Sequence, residues 1–536
     1  MTSTNSYKKK LIEVAIPLVA INAASAREKS IRHGHPSTMH LWWARRPLAA
    51  ARAVLFAQLV DDPSSLPDQF PTDEAVEAER QRLFKIIEEL VVWENSSNEE
   101  VFERARAEIL KSGGGKMPST YDPFSGGGSI PLEAQRLGLA SFGSDLNPVA
   151  VTIGKAMIEI PPKFKDLSPV HPEVNERQFY RKAEGLSEDV KFYGDWMRQR
   201  AVERIGHLYP GVQLDAANGA GEATAIAWIW SRTVPSPDPA YSNVAVPIAS
   251  SFVLSVKAGK EVWIEPIVDK VAKTITYRIR NGGTKAEIEK AKLGTKAGRG
   301  AHFRCLFSDA AITPEYVKAS GQAGRMDQSL IAIVAEGRGG RAYVAPNAHH
   351  EAVALSANPE WRPTTPLPND PRNFWTVDYG LKTFGDLFTD RQLVALTTLS
   401  QLVEEAKLEI ERDAVAAGLP DDNISLRENG LGARAYAEAV SIYLTLSVGK
   451  FADNASTICS WHNGAAHQKI RATFSRQSLP MTWDFAEGNA LSNSTGNFFR
   501  QVELIARVIS MSLPASVNGS IVQADAQTLM MTDLPV

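Results

Sequence analysis

The sequence predicts an α/β chain with a helical N-terminal segment, a β-α-β unit opening a doubly wound sheet, and a large α+β insertion. Three observations predict it. Leu11, Val14, Ala15, Leu18 and Ile21 recur at helical spacing. "STYDPFSGGGSIPLEAQRLGLASFGSDLNP" reads as strand, glycine loop, helix and a second strand ending in an acid. Residues 225–345 carry the strand-like runs "AIAWIW", "SSFVLSV", "EVWIEPIV" and "TITYRI".

Along the chain, residues 8–60 read as helices, and 72–111 as a charged helical stretch ended by "SGGGK" at 112–116. In "HGHPSTMHLWWARRP", Ser37 or Thr38 is placed to cap a helix carrying Trp42, Trp43, Arg45 and Arg46. Its tryptophans suit either a core or a ligand site. Its arginines suit nucleic-acid phosphates or water. Residues 160–220 read as helical, 281–301 as a solvated Gly/Lys insertion, and 358–373 as a Pro-rich linker. Helices resume at 389–417 and 430–452, and a last strand falls near 519–523. The predicted domains are 1–111 (helical), 112–160 (the cofactor-binding β-α-β unit), 161–372 (inserted α+β) and 373–536 (helical and mixed).

Bulk properties exclude several classes. A chain of 536 residues exceeds one ordinary domain. The net charge of −3 does not mark the whole molecule as a nucleic-acid binder. Residues 1–52 are the basic exception, with nine Lys/Arg against Glu13 and Glu28. Cys305 and Cys459 are the only cysteines, which rules out a disulfide scaffold or a cysteine-rich zinc site and fits a reducing cytoplasm. "YKKKLIEVAIPLVAINAASA" imitates a secretory signal, but Glu13, Pro17 and Asn22 interrupt it. No run of 18 apolar residues exists, so no membrane span is expected.

The loop at 122–129 has three consecutive glycines, Gly126 to Gly128. It has no Lys after its glycines, which a phosphate-binding P-loop requires ahead of its hydroxyl. "SGGGKMP" has Lys116, but Met117 follows it. The dinucleotide fingerprint fails at Pro131, where a third glycine is needed. What remains is an Asp-Pro-Phe-Ser-Gly loop, with Asp145 ending the next strand where an acid can take both ribose hydroxyls. The bland alternative is a tight strand-helix turn without a ligand.

At "DPFSGGGSIPLEAQRLG" and "SDLNPVAV" the chain resembles the S-adenosylmethionine-dependent amino-methyltransferases of DNA. The resemblance implies a Rossmann-like AdoMet-dependent methyltransferase sheet. It implies cofactor contacts from Asp122, Pro123, Phe124, Ser125, Gly126, Gly127, Gly128, Asp145 and Asn147, with Asp525 near the adenine ring. His35 and Pro36 would line the methionine end. "AINAASAREKSIRHGHPSTMHLWWARRPLAAARAVLFAQLVDDPS" is similar to a domain of unknown function heading a prokaryotic family of large adenine-specific DNA methylases, often anti-phage-associated. "AGRMDQSLIAIVAEG", "YGLKTFGDLFTDRQL" and "SRQSLPMTWDFAEGN" extend the likeness over nearly the whole chain. The implied function is methyl transfer to the N6 amine of adenine in DNA, within cytoplasmic anti-phage defence or restriction-modification. The cofactor is S-adenosylmethionine, no metal is expected, and Arg45 and Arg46 are the candidate nucleic-acid contacts. Some relatives carry a zinc ribbon. Ser236 and Tyr241 stand where its cysteines are expected, and only Cys305 is kept.

Such enzymes hold a flipped base with Asp, Asn or Ser followed by Pro-Pro and an aromatic residue. "IPPKF" at 160–164 lacks the flanking groups, and "DPRNFW" and "NPEW" lack the second proline. Thr532-Asp533-Leu534-Pro535-Val536 is a degenerate form, leaving Asp533 and Pro535 as the catalytic candidates. Two expectations follow. One is a C-terminally incomplete methyltransferase, completed by a partner chain. The other is a catalytically silent DNA- or AdoMet-binding subunit needing a partner chain, and other defence-system proteins are the further candidate partners. Cytosine N4 and RNA are the alternative targets.

Overall fold

The computed structural model describes residues 7–174, 179–216, 218–494, 496–514 and 517–528. The chain is a mixed α/β protein divided into two compact units. One comprises Met1–Gly194, Glu404–Ser447 and Val502–Val536, and the other Asp195–Val403 and Val448–Gln501. The boundaries differ from those read in the sequence. Residues 1–111 do not close a core alone: Ala134, Leu137 and Leu139 share one cluster with Leu11, Phe56, Ile87 and Phe102.

The first unit opens with α1 (Leu11–Val14), α2 (Leu18–Glu28), α3 (Leu48–Leu59), α4 (Asp73–Val91) and α5 (Glu99–Ser112). Thr72 caps α4 by accepting from the Ala75 amide at 3.2 Å, with Asp73 and Glu74 at the positive end of the helix dipole. Leu83, Ile86, Ile87, Leu90 and Val91 then bury one face of α4. Helix α3 begins after Pro47, which offers no side-chain acceptor, so Glu28 supplies one. Its two oxygens accept from the Leu48 and Ala49 amides, each at 2.8 Å.

The helix expected over Trp42–Arg46 does not form. His35, not Ser37 or Thr38, caps a single turn at Pro36–Thr38, accepting from the Ser37 amide at 3.1 Å. Residues 39–47 then run irregularly to Pro47, because Trp42 and Arg45 find tertiary contacts that outweigh local helix preference.

The β-α-β unit follows as β1 (Thr120–Asp122), α6 (Ser129–Arg136), β2 (Ser141–Asp145) and α7 (Pro148–Gly154). β1 lies parallel to β2, with Asp122 opposite Gly143. Strand Gly519–Gln523, where the sequence places it, is parallel to β2 on its other side, with Gln523 opposite Asp145. Gly143 admits Ile521, whose Cδ1 would stand 2.5 Å from an added Cβ.

The second unit is built on strand Ala225–Pro235, buried on both faces for most of its length. It pairs antiparallel with Asp327–Gly337 and Asp484–Gly488. A second antiparallel sheet joins Val253–Lys257, Lys260–Asp269 and Thr274–Asn281. One sequence reading is refined here and one corrected. Residues 281–301 are largely exposed, as a solvated insertion, and contain a capped helix, Lys285–Leu293, started by the Thr284/Glu287 capping box and anchored by buried Ala291. Helix within 160–220 gives way after Glu184–Ile205 to strands Val212–Leu214 and Gly221–Ala223.

The core of this unit holds a buried ion pair. Arg391 donates through Nε and Nη2 to the two Glu487 oxygens at 3.0 and 2.7 Å, and through Nη1 to the Leu208 carbonyl at 3.0 Å. Glu487 also accepts from Trp230 Nε1 at 2.8 Å and Thr389 Oγ1 at 2.7 Å. Among the described residues no helix is long and apolar enough to cross a membrane.

Candidate ligand site at the glycine loop

The loop after β1 is held by the strand beside it. The Ser125 amide donates to the Ser144 carbonyl at 3.0 Å. Asp145 Oδ2 accepts from the Gly126 amide at 2.9 Å, and Oδ1 from the Asn147 amide at 2.9 Å. Gly126 and Gly128 adopt φ of 48° and 71°, the left-handed region that favours glycine. Gly128 then leads into α6.

Asp122 Oδ1 accepts from the Phe124 amide at 3.1 Å. Burial, joined by the nearby Asp145 charge, raises the Asp122 pKa despite that hydrogen bond. Asn147 caps α7, its side chain accepting from the Val149 amide at 2.9 Å, and Pro148 fills the first helical position. Beyond strand Gly519–Gln523, the Ala524 amide donates to the Asp145 carbonyl at 3.3 Å. Asp525 follows, its Oδ1 accepting from the Gln527 amide at 2.9 Å. Asp122, Asp145 and Asp525 thus all lie at the carboxyl ends of three parallel strands. Phe124 and Leu146, in the segments after β1 and β2, are 78% and 64% exposed.

Gly126 and Gly127 face the chain's own N-terminal segment, and Gly128 faces Met157. An added Cβ on Gly126 would stand 2.8 Å from Trp42 Nε1. On Gly127 it would stand 2.9 Å from Trp42 Cδ1 and 3.2 Å from Arg45 Cζ. Arg45 Nη1 donates to the Gly127 carbonyl at 2.8 Å, and Ser129 Oγ donates to the Arg46 carbonyl at 2.9 Å. Arg45 as a residue keeps some exposure, but its Nη2 is buried and has no hydrogen-bond partner among the described residues. Burial pushes the guanidinium pKa down to about 10. Arg45 is thus held on the glycine loop, with Nη1 fixed on the Gly127 carbonyl. Arg46 remains exposed.

Behind this segment lies a buried polar cluster. Arg52 Nε donates to Glu133 Oε2 at 2.5 Å, and Arg136 pairs with the same carboxylate at 3.1 Å. His35 is 4% exposed, packs its ring 4.6 Å from that of Trp93, and has Nδ1 2.7 Å from Ser37 Oγ. Burial, helped by the Arg136 and Arg45 charges, lowers its pKa to about 4, so it is neutral at pH 7. Pro36 is buried beside it. The side chains of this segment that meet the loop are Trp42 and Arg45. Their role went unread in the sequence, although the pairing of small loop residues with a nearby tryptophan is a usable signal. The basic excess of residues 1–52 is partly neutralised within the unit: Lys10 meets Asp61 at 2.6 Å, and Arg27 pairs with Glu94.

The catalytic candidates Asp533 and Pro535 lie outside the described residues. The "IPPKF" prolines are buried in a short helix, Ile160–Lys163. Ser236 Oγ stands 3.2 Å from Cys305 Sγ, while Tyr241 stacks on Phe307 with ring centroids 5.0 Å apart. Among the described residues no group of three or more His, Cys, Asp and Glu is placed to hold a metal ion.

Residues 15–86 match the model of a family described as a protein of unknown function, DUF1156. The matched segment includes Trp42 and Arg45, the two side chains that meet the glycine loop. No curated protein and no solved structure matches the chain.

Proposed function

We propose that the chain binds S-adenosylmethionine on a Rossmann-like sheet and serves the methylation of the N6 amine of adenine in DNA. One observation carries the cofactor reading: acids follow three consecutive parallel strands, and the middle one, Asp145, is bonded to the glycine loop. Ligands of open α/β sheets bind beyond the carboxyl ends of such strands. The residues suit this ligand. Each Asp145 oxygen accepts one amide hydrogen and has acceptor capacity left for a ribose hydroxyl. Exposed Phe124 and Leu146 offer apolar surface to an adenine ring. The buried, unpartnered Arg45 Nη2 offers a donor to an anionic tail.

When bound, the cofactor supplies an electrophilic methyl group. The chain's residues position it and exclude water. Trp42 and Arg45 cover the loop on one side, and Asp145 fixes loop and ribose together. The DNA reading rests on the sequence resemblance.

The test is calorimetric binding of S-adenosylmethionine to the full chain, paired with transfer of labelled methyl to DNA and analysis of the modified base. Asp145→Ala is expected to lower affinity at least ~100-fold, the scale of two lost charge-assisted hydrogen bonds. Unchanged affinity sinks the ribose assignment. Binding without transfer favours the silent-subunit reading, and label on cytosine or RNA replaces the adenine assignment.

A further inference from the structure

We propose that Arg45 is the carboxylate-recognition residue of this site, its free Nη2 edge receiving the α-carboxylate of an amino-acid-bearing nucleoside laid along the glycine loop. The proposal rests on the cofactor reading above and adds which side chain of the N-terminal segment reads the carboxylate.

Four observations carry it. Arg45 is aimed rather than loose, since Nη1 is fixed on the Gly127 carbonyl at 2.8 Å. Among the described residues Nη2 is buried and has no hydrogen-bond partner, a condition that costs a folded protein about 1–3 kcal/mol and more for a charged group. No carboxylate of the described residues pairs with the side chain, and burial alone lowers its pKa. Next to it, the Gly127 amide makes no hydrogen bond to any described residue, so a second donor accompanies Nη2.

The geometry selects the anion. A guanidinium is a planar fork that matches a carboxylate edge. A phosphate would carry more negative charge toward Asp145, whose carboxylate holds the adjacent Gly126 amide, and toward Asp122 beside it. A zwitterionic tail suits both signs: its carboxylate meets Arg45, and its cationic centre faces the acids and the Trp42 indole.

The experiment compares two ligands differing by one group, S-adenosylmethionine and its decarboxylated form, by calorimetry on the full chain. Wild-type protein is expected to prefer the carboxylated ligand by on the order of 10–100-fold, the scale of one charge-assisted hydrogen-bonded contact. Arg45→Gln is expected to bring that ligand down to the affinity of the decarboxylated one, whose own binding does not change. Arg45→Lys is expected to restore part of the preference. A wild-type protein that binds both equally overturns the assignment of Arg45 and leaves the cofactor reading standing, whether or not the variants fold. An Arg45→Gln protein that keeps the preference overturns it too. Binding of neither ligand overturns the cofactor reading and this proposal with it.

Discussion

Arg391 in the second unit and Arg45 in the first both hold guanidinium nitrogens away from water, and the two are used differently. Arg391 in the second unit has all three guanidinium nitrogens bonded, to both oxygens of Glu487 and to the Leu208 carbonyl. It also lies 4.0 Å over the Trp228 ring. Arg45 in the first unit has one nitrogen on the Gly127 carbonyl and another buried without a hydrogen-bond partner among the described residues. A saturated buried charge belongs to the architecture and is costly to disturb. An unsaturated one keeps donor capacity for a further acceptor.

The largest expected effect comes from breaking the saturated pair. Glu487→Ala strands the Arg391 charge and removes acceptors from Trp230 and Thr389. The expected loss is about 3–5 kcal/mol, read by denaturant unfolding. A loss below ~1 kcal/mol would falsify the view that this network organises the second unit.

The contrast explains what the sequence could and could not reveal. Strand, loop, helix and strand from Thr120 to Asp145 are legible because glycine, proline and acid fall where local geometry demands them. The strand at Gly519–Gln523 is legible from its apolar run, but its parallel place beside β2 is a long-range fact. Trp42 to Arg46 misled for the opposite reason: capping residues and a good helical composition precede a segment whose contacts lie on the loop at 126–129. The unit boundaries were hidden likewise, because α3 and α6 share a core through Arg52 and Glu133.

A second effect follows from the neutral, buried His35. Its pKa of about 4 lies below the ordinary value near 6.5, so the unfolded chain binds the proton more readily between those limits. Its contribution is complete above pH 6.5, falls as pH drops through the window, and is lost below about pH 4. The full shift corresponds to up to about 3 kcal/mol. Asp189 acts in the opposite sense. Burial raises its pKa to about 7 despite hydrogen bonds from Tyr436 and two amides, so it favours the folded state at lower pH. Comparing wild type with His35→Gln in unfolding from pH 7 to pH 4 isolates the histidine, and the variant is expected to show the flatter acid limb. Parallel limbs would place the His35 proton elsewhere.

The loop backbone is the next test. Gly126→Ala puts a methyl group at φ 48° and 2.8 Å from Trp42 Nε1. Left-handed strain alone costs about 1–2 kcal/mol, and Trp42 must shift as well. A modest loss of stability with a larger loss of ligand affinity is expected from unfolding and calorimetry on the same preparation. Unchanged values for both would mean that Trp42 is not held against the loop.

The smallest effect on stability sharpens the comparison most. Arg45→Met keeps an unbranched stem of similar reach beside Met157, whose Sδ lies 3.9 Å from Arg45 Nη1. It removes one hydrogen bond, a loss of about 1 kcal/mol, and also removes a desolvated charge with an orphaned nitrogen, a gain of similar size. The expected net change is within about 1 kcal/mol of zero, against several kcal/mol when the Arg391 pair is broken. The measurement is unfolding of the ligand-free protein, since bound ligand would add its own stabilisation. A large destabilisation would make Arg45 a structural arginine like Arg391. A near-zero change leaves its buried charge explained only by what it binds.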